Sequence, residues 1–486
     1  MTSPERPKSQ WSSLLRQPLF WLGANALLLY GWLLSDPAFS ARRYVDSPTY
    51  LKLFAEGTLE AALSNIRTLG YPLFLQGVLA VTGDERTVAH FQTLAYLAAV
   101  VFFGWAAGVF LGSPWRGALA ALPLLYTQLL AEFMTAILTE VLASGLAITT
   151  AGCLLWLVAR PKSRRAWIGL GLSLFLTYQV RPALIFLLAL VPLLGAVLTV
   201  ILRGWPGWRV LLRLTAGLAA AAALPFLAWC TFRWLTVDHF GLVSFGGTNV
   251  VGITASMLSE EVIRELPEEH RELASTMLKR RQELGLSVDG AYNFRLWFRD
   301  YNHNVFKAGL KAARDLYPGT DDDGGYQVWI NQRFSALSRE LIRQRPSLYA
   351  RWVWDGMWYS ARGIARESPM KQLGLLVAGT LPVWAVVAAW RRRRGRGSSP
   401  PSAFRGSLGL LLWALTYAAV GMLLIVMVED PVARYRMSAQ LFLPSALFLL
   451  LVDLWRGILL VPGAQAGAHR SGTRVGSEPE TVKRAE

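Results

Sequence analysis

The chain has 486 residues, of which 53% are hydrophobic and only 17% are charged, and its mean hydropathy is +0.34. This composition excludes soluble globular, fibrous, disordered and disulfide-rich secreted proteins, and it indicates a polytopic membrane protein. The formal net charge of +17 does not indicate nucleic-acid binding, because residues 237–370, the main polar segment, hold 17 basic and 17 acidic side chains and so offer no basic face.

Apolar segments long enough to cross a roughly 30 Å hydrocarbon core recur along the chain. We expect an all-α polytopic membrane protein with about ten transmembrane helices. The predicted spans are residues 18–34, 86–111, 117–131, 138–159, 166–180, 182–202, 209–236, 371–390, 407–428 and 437–455. No small-residue cleavage site follows the first apolar run, so that run predicts a retained first helix.

Basic residues predict which loops face the cytoplasm. With the N-terminus inside, the basic clusters within 160–165, 203–213 and 391–396 all fall on the cytoplasmic side. Both termini are then cytoplasmic. The expected location is the bacterial cytoplasmic membrane, which the chain crosses several times.

The same assignment divides the chain into four parts. Residues 1–236 form an N-terminal module of seven predicted helices, with a first outer loop at 35–85. Residues 237–370 form a mainly helical outer region that ends in an interfacial helix, because arginines alternate with tryptophans near its end. Residues 371–456 hold the last membrane helices, and the polar tail 457–486 is expected to be disordered in the cytoplasm.

The first outer loop holds the most informative motifs. It contains Arg43-Tyr44-Val45-Asp46-Ser47-Pro48-Thr49-Tyr50 and, further on, Arg67-Thr68-Leu69-Gly70-Tyr71-Pro72. A carboxylate at the outer face can accept a proton from an attacking hydroxyl, and a guanidinium can neutralise a departing phosphate. Asp46 and Arg67 fit that chemistry. In the competing interpretation, Asp46 caps a turn and Arg67 contacts lipid phosphate.

This order of a first helix, Asp-Ser-x-x-Tyr and Arg-x-x-Gly-Tyr-Pro resembles bacterial GT-C glycosyltransferases, the relatives of protein O-mannosyltransferases and lipid A aminoarabinose transferases. The resemblance implies a GT-C-like fold, with Asp46 as the catalytic residue and Arg67 at the donor phosphate. Two departures leave metal use and acceptor class open. Leu69 stands where many relatives have proline, and Ser47 stands where they have a second acidic residue.

Weaker motifs follow in the same order as in that superfamily. They are Leu138-Thr139-Glu140, Arg181-Pro182, Arg345-Pro346-Ser347-Leu348-Tyr349 and Ala433-Arg434-Tyr435-Arg436. Arg434 and Arg436 are expected to bind the donor phosphate or an acidic acceptor bidentately, with interfacial anchoring as the alternative. Glu140 borders an apolar run and is either functional or a partner of Arg181. The remaining candidate site residues are Arg43, Tyr50, Tyr71 and Tyr435.

No sequence pattern assigns a metal or nucleotide site. The five histidines show no ligand spacing, and no glycine-rich loop ends in Lys-Ser or Lys-Thr. Residues 321–323 satisfy an Asp-x-Asp pattern, but a solvated turn is the stronger interpretation. A divalent metal is left open as a cofactor, with no ligands assigned.

The predicted function is transfer of a sugar, with inversion, from a polyprenyl-phosphate-linked donor to a hydroxyl of a lipid, glycan or protein at the outer face. The expected partners are that donor, the acceptor and membrane lipids, without nucleic acid. A transporter or lipid flippase is the first alternative, and it predicts related halves and broken helices. A glycan polymerase or ligase outside the GT-C lineage is the second.

Overall fold

A computed structural model of the chain describes residues 17–53, 58–319, 325–393 and 402–459. Within these ranges the chain is helical apart from an isolated bridge between Arg42 and Ala136, so the predicted all-α class is confirmed. The basic N-terminal start, the turn predicted at 321–323 and nearly all of the polar tail lie outside the described residues.

Long apolar helices dominate the molecule and indicate a membrane-embedded protein. Among the described residues, six are long and apolar enough to cross a membrane: Glu85–Leu111, Glu140–Ala159, Pro182–Arg203, Trp208–Val237, Ser368–Trp390 and Phe404–Val428. A bent pair, Ala433–Ala439 and Leu443–Ile458, adds a seventh candidate with a bend of 43°. Pro18–Leu34, Gly70–Thr82 and Arg164–Val180 are shorter helices. The candidates are therefore fewer than the spans predicted from the sequence.

The span predicted at 117–131 is not one continuous helix, and that prediction was wrong. The chain instead forms the α-helix Pro114–Ala121, the 3-10 helix Leu122–Tyr126 and the α-helix Gln128–Phe133. Pro123 lacks an N–H and disrupts the α-helical hydrogen bonds at this point. The Thr127 hydroxyl accepts a hydrogen bond from the Leu130 amide and so starts a new helix.

The first predicted outer loop contains three helices. They are Ser47–Leu51, Leu59–Ser64 and Gly70–Thr82. The last one is apolar and ends at Gly83, whose φ of 68° is a left-handed conformation that glycine adopts without strain. This loop is therefore a folded layer on the membrane helices.

Ion pairs define two ends of the helical bundle. At one end Arg434 pairs with both Asp46 and Glu140, and at the other end Arg116 pairs with Asp453. We call these the Asp46 end and the Arg116 end. Because residues 112–139 connect the Arg116 end to the Asp46 end, the broken segment still returns the chain across the bundle.

Close backbone contact holds the broken segment against its neighbour. A Cβ atom at Gly117 would lie 2.2 Å from the carbonyl oxygen of Gly104 and 2.5 Å from the Cα atom of Gly108. No larger residue fits at position 117 without moving a backbone. Glycine at this position therefore sets the distance between Pro114–Ala121 and the long helix Glu85–Leu111.

Residues 237–370 fold into a second helical layer. Its α-helices are Gly246–Thr254, Glu260–Glu265, Glu268–Glu283, Phe294–Asn302, Leu310–Leu316, Gly325–Gln344 and Pro346–Arg366, with a 3-10 turn at Ala255–Met257 and a π-helix at His303–Gly309. Its core includes Ile425 and Val426, from the last turn of Phe404–Val428. The layer is therefore packed on the Asp46 end of the bundle.

The helix Pro346–Arg366 has one buried and one exposed face. The Trp352 indole donates a hydrogen bond to the Val426 carbonyl at 2.8 Å, while Trp354 and Trp358 are exposed. Arg362 stacks 4.6 Å from the centre of the Trp358 ring. This composition beside the end of a membrane helix is typical of an interfacial helix, and that role stays a prediction.

Candidate functional site

Asp46 lies immediately before the short helix Ser47–Leu51, in a turn that its neighbours fix. The buried Ser47 hydroxyl donates to the Ile137 carbonyl at 2.8 Å and accepts from the Tyr44 amide at 2.7 Å. Pro48 occupies the first turn of the helix, where its missing N–H costs nothing. The turn is thus tied to the chain segment that precedes Glu140.

The Asp46 carboxylate lies between two arginines from distant parts of the chain. Arg67 Nη2 donates to Oδ1 at 3.2 Å, and Arg434 Nη1 donates to Oδ2 at 3.1 Å. The side chain of Asp46 keeps 32% of its surface exposed. The structure therefore brings together three of the four residues to which the sequence assigned base and phosphate chemistry.

Besides Asp46, two further side chains contact the Arg67 guanidinium. Its Nε donates to the Thr49 hydroxyl at 2.9 Å, and its guanidinium carbon lies 4.5 Å from the centre of the Tyr50 ring. Tyr50 in turn packs edge-on against Tyr71, with ring centres 5.2 Å apart. Because these partners are fixed, the guanidinium is oriented before any ligand arrives.

The Glu140 carboxylate also pairs with two arginines. Its Oε1 lies 2.9 Å from Arg181 Nη1 and 3.2 Å from Arg434 Nε, and the side chain is only 2% exposed. Arg181 also donates to the Thr139 hydroxyl at 3.0 Å. The partnership with Arg181 that the sequence suggested is present, and Arg434 joins it.

The ring of Tyr435 contacts two of the arginines, and its hydroxyl hydrogen-bonds to a further carboxylate. Arg181 and Arg434 lie 5.5 Å and 5.2 Å from the centre of its ring. Its hydroxyl donates to Glu429 and accepts from Arg434 Nη2 at 3.2 Å. Arg434 thereby contacts Asp46, Glu140 and Tyr435 at once.

Glu429, which accepts the hydrogen bond of the Tyr435 hydroxyl, is a functional candidate that sequence reasoning missed, and a second acidic residue, Asp430, follows it. Burial raises the pKa of Glu429, and it raises the pKa of Asp430 to about 7, with the nearby Glu429 carboxylate as a second cause. Two adjacent carboxyl groups at the end of a long apolar helix were the available signal, since such groups are costly unless they are paired or neutral.

A cavity of about 790 Å³ lies at the Asp46 end, and Glu429 is among its lining residues. Seven of the ten candidate site residues line it: Asp46, Tyr50, Arg67, Glu140, Arg181, Arg434 and Tyr435. Apolar lining residues come from both helical layers: Ile185, Val305, Phe306, Leu310, Leu424, Ile425 and Val428. The cavity therefore combines ionised and apolar lining residues.

Three sequence candidates lie outside this cavity. Arg43 forms an exposed ion pair with Glu85 at 3.0 Å, and Arg436 donates to the Pro431 carbonyl at 2.9 Å and stacks on an aromatic ring. Tyr71 is fully buried beneath Tyr50. The structure therefore gives Arg43 and Arg436 other partners and makes Tyr71 a packing residue.

The ionised groups of the cavity fit an anion better than a cation. The guanidinium groups of Arg67, Arg181 and Arg434 lie among three carboxyl groups, of which Asp46 and Glu140 are already paired with guanidinium groups. The third, Glu429, accepts a hydrogen bond from Tyr435, and burial raises its pKa. Within the described ranges, no group of three or more His, Cys, Asp or Glu side chains could hold a metal ion. These donors do not fit a resident divalent metal, whereas arginines at fixed positions suit phosphate.

Comparison with protein-family models, with curated proteins and with solved structures finds no match to this chain. The functional argument therefore depends on the geometry of the cavity and on the chemistry of the residues around it.

Proposed function

We propose that the protein is a membrane glycosyltransferase that takes a sugar from a polyprenyl-phosphate carrier and transfers it, with inversion, to a hydroxyl of a lipid, glycan or protein. The resemblance of the Asp46 and Arg67 motifs to the GT-C superfamily suggests this activity. A GT-C-like arrangement of about ten spans, counting broken and short helices, is part of the proposal.

One observation carries the proposal: the Asp46 carboxylate and three arginines line one cavity together with apolar side chains from both helical layers. A polyprenyl phosphate combines a charged phosphate with a long hydrocarbon chain. Arginines can bind the first, and an apolar wall formed partly by membrane helices can accommodate the second. A soluble nucleotide sugar would not need that wall.

In the proposed reaction, the acceptor oxygen attacks the anomeric carbon and forms the new glycosidic bond, while the bond from that carbon to the phosphate oxygen breaks. The electron pair of the broken bond stays on the phosphate, where Arg67 and Arg434 neutralise the developing charge. The hydroxyl proton passes to the carboxylate of Asp46. Attack opposite to the leaving phosphate inverts the anomeric centre.

The proposal places the Asp46 end and residues 237–370 outside the bacterial cytoplasmic membrane, with both termini in the cytoplasm. Single cysteines test this placement, because native Cys153 and Cys230 are buried. Cysteine at the exposed Ser275 should react with an impermeant maleimide in intact cells. Cysteine at the exposed Lys162 should react only after permeabilisation, and the reverse pattern would refute the placement.

A donor screen tests the activity itself. Purified protein in lipid nanodiscs is incubated with radiolabelled polyprenyl-phosphate sugars, one donor at a time, and with membrane extracts as the source of acceptor. We expect one donor to lose its label to a new product with wild-type protein and with Glu85→Gln, but not with Asp46→Asn. Glu85 is the matched control, since it is also an arginine-paired carboxylate but lies outside the cavity. Absence of transfer from every donor would contradict the proposal.

A lipid flippase is the second candidate, and the bent helix pair favours it. The helices Ala433–Ala439 and Leu443–Ile458 differ in direction by 43°, and broken helices are typical of transporters. A flippase would move the carrier lipid between leaflets without consuming it. Vesicles containing the protein and a labelled carrier sugar distinguish the two, because only a transferase releases unsubstituted polyprenyl phosphate.

A further inference from the structure

Asp46 is already engaged on both sides in the ligand-free site. One oxygen accepts from Arg67 and the other from Arg434, so an acceptor hydroxyl would compete with two guanidinium groups. The same two arginines are the groups that the proposed reaction needs at the phosphate. Asp46 and the donor phosphate therefore compete for one pair of cations.

Exposure indicates which of these contacts are exchangeable. The pairs of Asp46, at 3.1–3.2 Å, are no longer than the 3.2 Å between Arg434 and Glu140, but the Asp46 side chain is 32% exposed. Glu140 is only 2% exposed, and its pair with Arg181 measures 2.9 Å. A ligand can therefore reach Asp46, whereas Glu140 and Arg181 form a buried pair beside it.

We propose that Asp46 is an exchangeable counter-ion, which a ligand phosphate displaces from Arg67 and Arg434. Resting on the proposed function, this inference adds an order of events. In the empty site Asp46 neutralises the two arginines, which would otherwise repel each other in a half-buried cavity. When the phosphate of the donor arrives, it takes over both guanidinium groups, and the carboxylate becomes free to orient and deprotonate the acceptor.

Two features of the site make this exchange feasible. Arg434 keeps its contacts with Glu140 and Tyr435 when it releases Asp46, so it need not move far. Arg67 keeps its contacts with Thr49 and the ring of Tyr50. The carboxylate of Asp46 therefore becomes available as a base only after the donor is bound.

Binding of farnesyl phosphate, a short polyprenyl phosphate, tests the exchange without any knowledge of the sugar. Farnesol, which lacks the phosphate, is the matched ligand for the apolar contribution. Because Asp46→Asn removes the competing anion, it should bind farnesyl phosphate about five- to thirty-fold more tightly than wild type, with farnesol affinity unchanged. Glu85→Gln changes the net charge equally outside the cavity and should bind both ligands as wild type does.

A second pair of variants shows whether the effect passes through the arginines. In an Arg434→Gln background, Asp46→Asn should strengthen farnesyl phosphate binding by clearly less than it does alone. Equal or weaker binding by Asp46→Asn, with an unchanged melting temperature, would overturn the exchange. That result would not change the interpretation of the donor screen. Tighter binding together with no transfer from any donor would support the exchange and contradict the glycosyltransferase activity.

Discussion

Two buried clusters of charge lie at opposite ends of the helical bundle, and they differ in what surrounds them. At the Arg116 end, Arg116 pairs with Asp453 at 2.6 Å, and both also hydrogen-bond to Ser407. All three side chains are nearly inaccessible, and none lines the cavity. At the Asp46 end, Asp46 is one-third exposed and its ion pairs are longer.

The comparison shows that buried charge alone does not identify a functional site. The cluster of Arg116, Ser407 and Asp453 is compact and balanced in charge, as expected of a structural ion pair that joins helices. The cluster of Asp46, Arg67, Glu140, Arg181 and Arg434 borders a cavity, which Glu429 also lines. Ionised groups that face open space, rather than buried charge alone, are the feature that indicates a ligand.

The substitution Asp46→Asn should have the largest effect in a test of the contrast between the two clusters. Because an amide cannot take the acceptor proton, transfer should fall by about 10²–10⁴-fold, while the melting temperature stays close to that of wild type. Radiolabelled transfer and thermal unfolding of the same preparation measure both quantities. Turnover near the wild-type rate would remove Asp46 from the mechanism.

The opposite pattern is expected at the Arg116 end. Asp453→Asn removes the carboxylate that pairs with the buried Arg116 guanidinium, so the free energy of unfolding should fall by about 3–5 kcal/mol. Transfer per folded molecule should change little. Replacing both residues together, Arg116→Met with Asp453→Leu, should recover much of the lost stability in thermal unfolding. A loss of transfer without loss of stability would make this cluster functional as well.

Arg67 gives a smaller and graded effect within the cavity. Arg67→Gln removes the charge and should weaken farnesyl phosphate binding by roughly tenfold, whereas Arg67→Lys keeps the charge without the planar fork and should be intermediate. Farnesol affinity and melting temperature should change little in either variant. Equal farnesyl phosphate affinities in wild type and Arg67→Gln would show that Arg67 only packs on Tyr50.

The smallest expected effect concerns Asp430, whose pKa rises from an ordinary 3.8 to about 7 in the folded protein. The folded state therefore binds the proton more tightly than the unfolded state, and this stabilisation is lost as pH rises through 7. The melting temperature should be lower at pH 8 than at pH 6 by roughly 1–2 °C. Asp430→Asn should reduce that difference, and an unchanged pH dependence would contradict the assignment.

Sequence reasoning predicted the helical membrane class and much of the cavity. Long apolar runs and the polar motifs between them carry that information locally, so the motifs alone are enough to select Asp46, Arg67 and Glu140. That Arg434 contacts both Asp46 and Glu140 could not be predicted, because more than 290 residues separate it from either carboxylate. Such contacts depend on how the helices pack and leave no periodic signal.

The wrong prediction has a local physical cause. Hydropathy alone made residues 117–131 a continuous span, but Pro123 divides the segment into short helices. The phosphate-binding role of Arg436 stays a prediction, although Arg436 lies two residues after Arg434 on the helix Ala433–Ala439 and donates to the Pro431 carbonyl outside the cavity. Motif membership did not determine which side chain faces the cavity.

The most direct test of the contrast between the two clusters is an experimental structure of the protein with farnesyl phosphate bound. We predict the phosphate within hydrogen-bonding distance of Arg67 and Arg434, the farnesyl chain along Ile185 and Leu424, and no change around Arg116. A phosphate bound at another group of basic residues, with Asp46 still held by both arginines, would contradict the account.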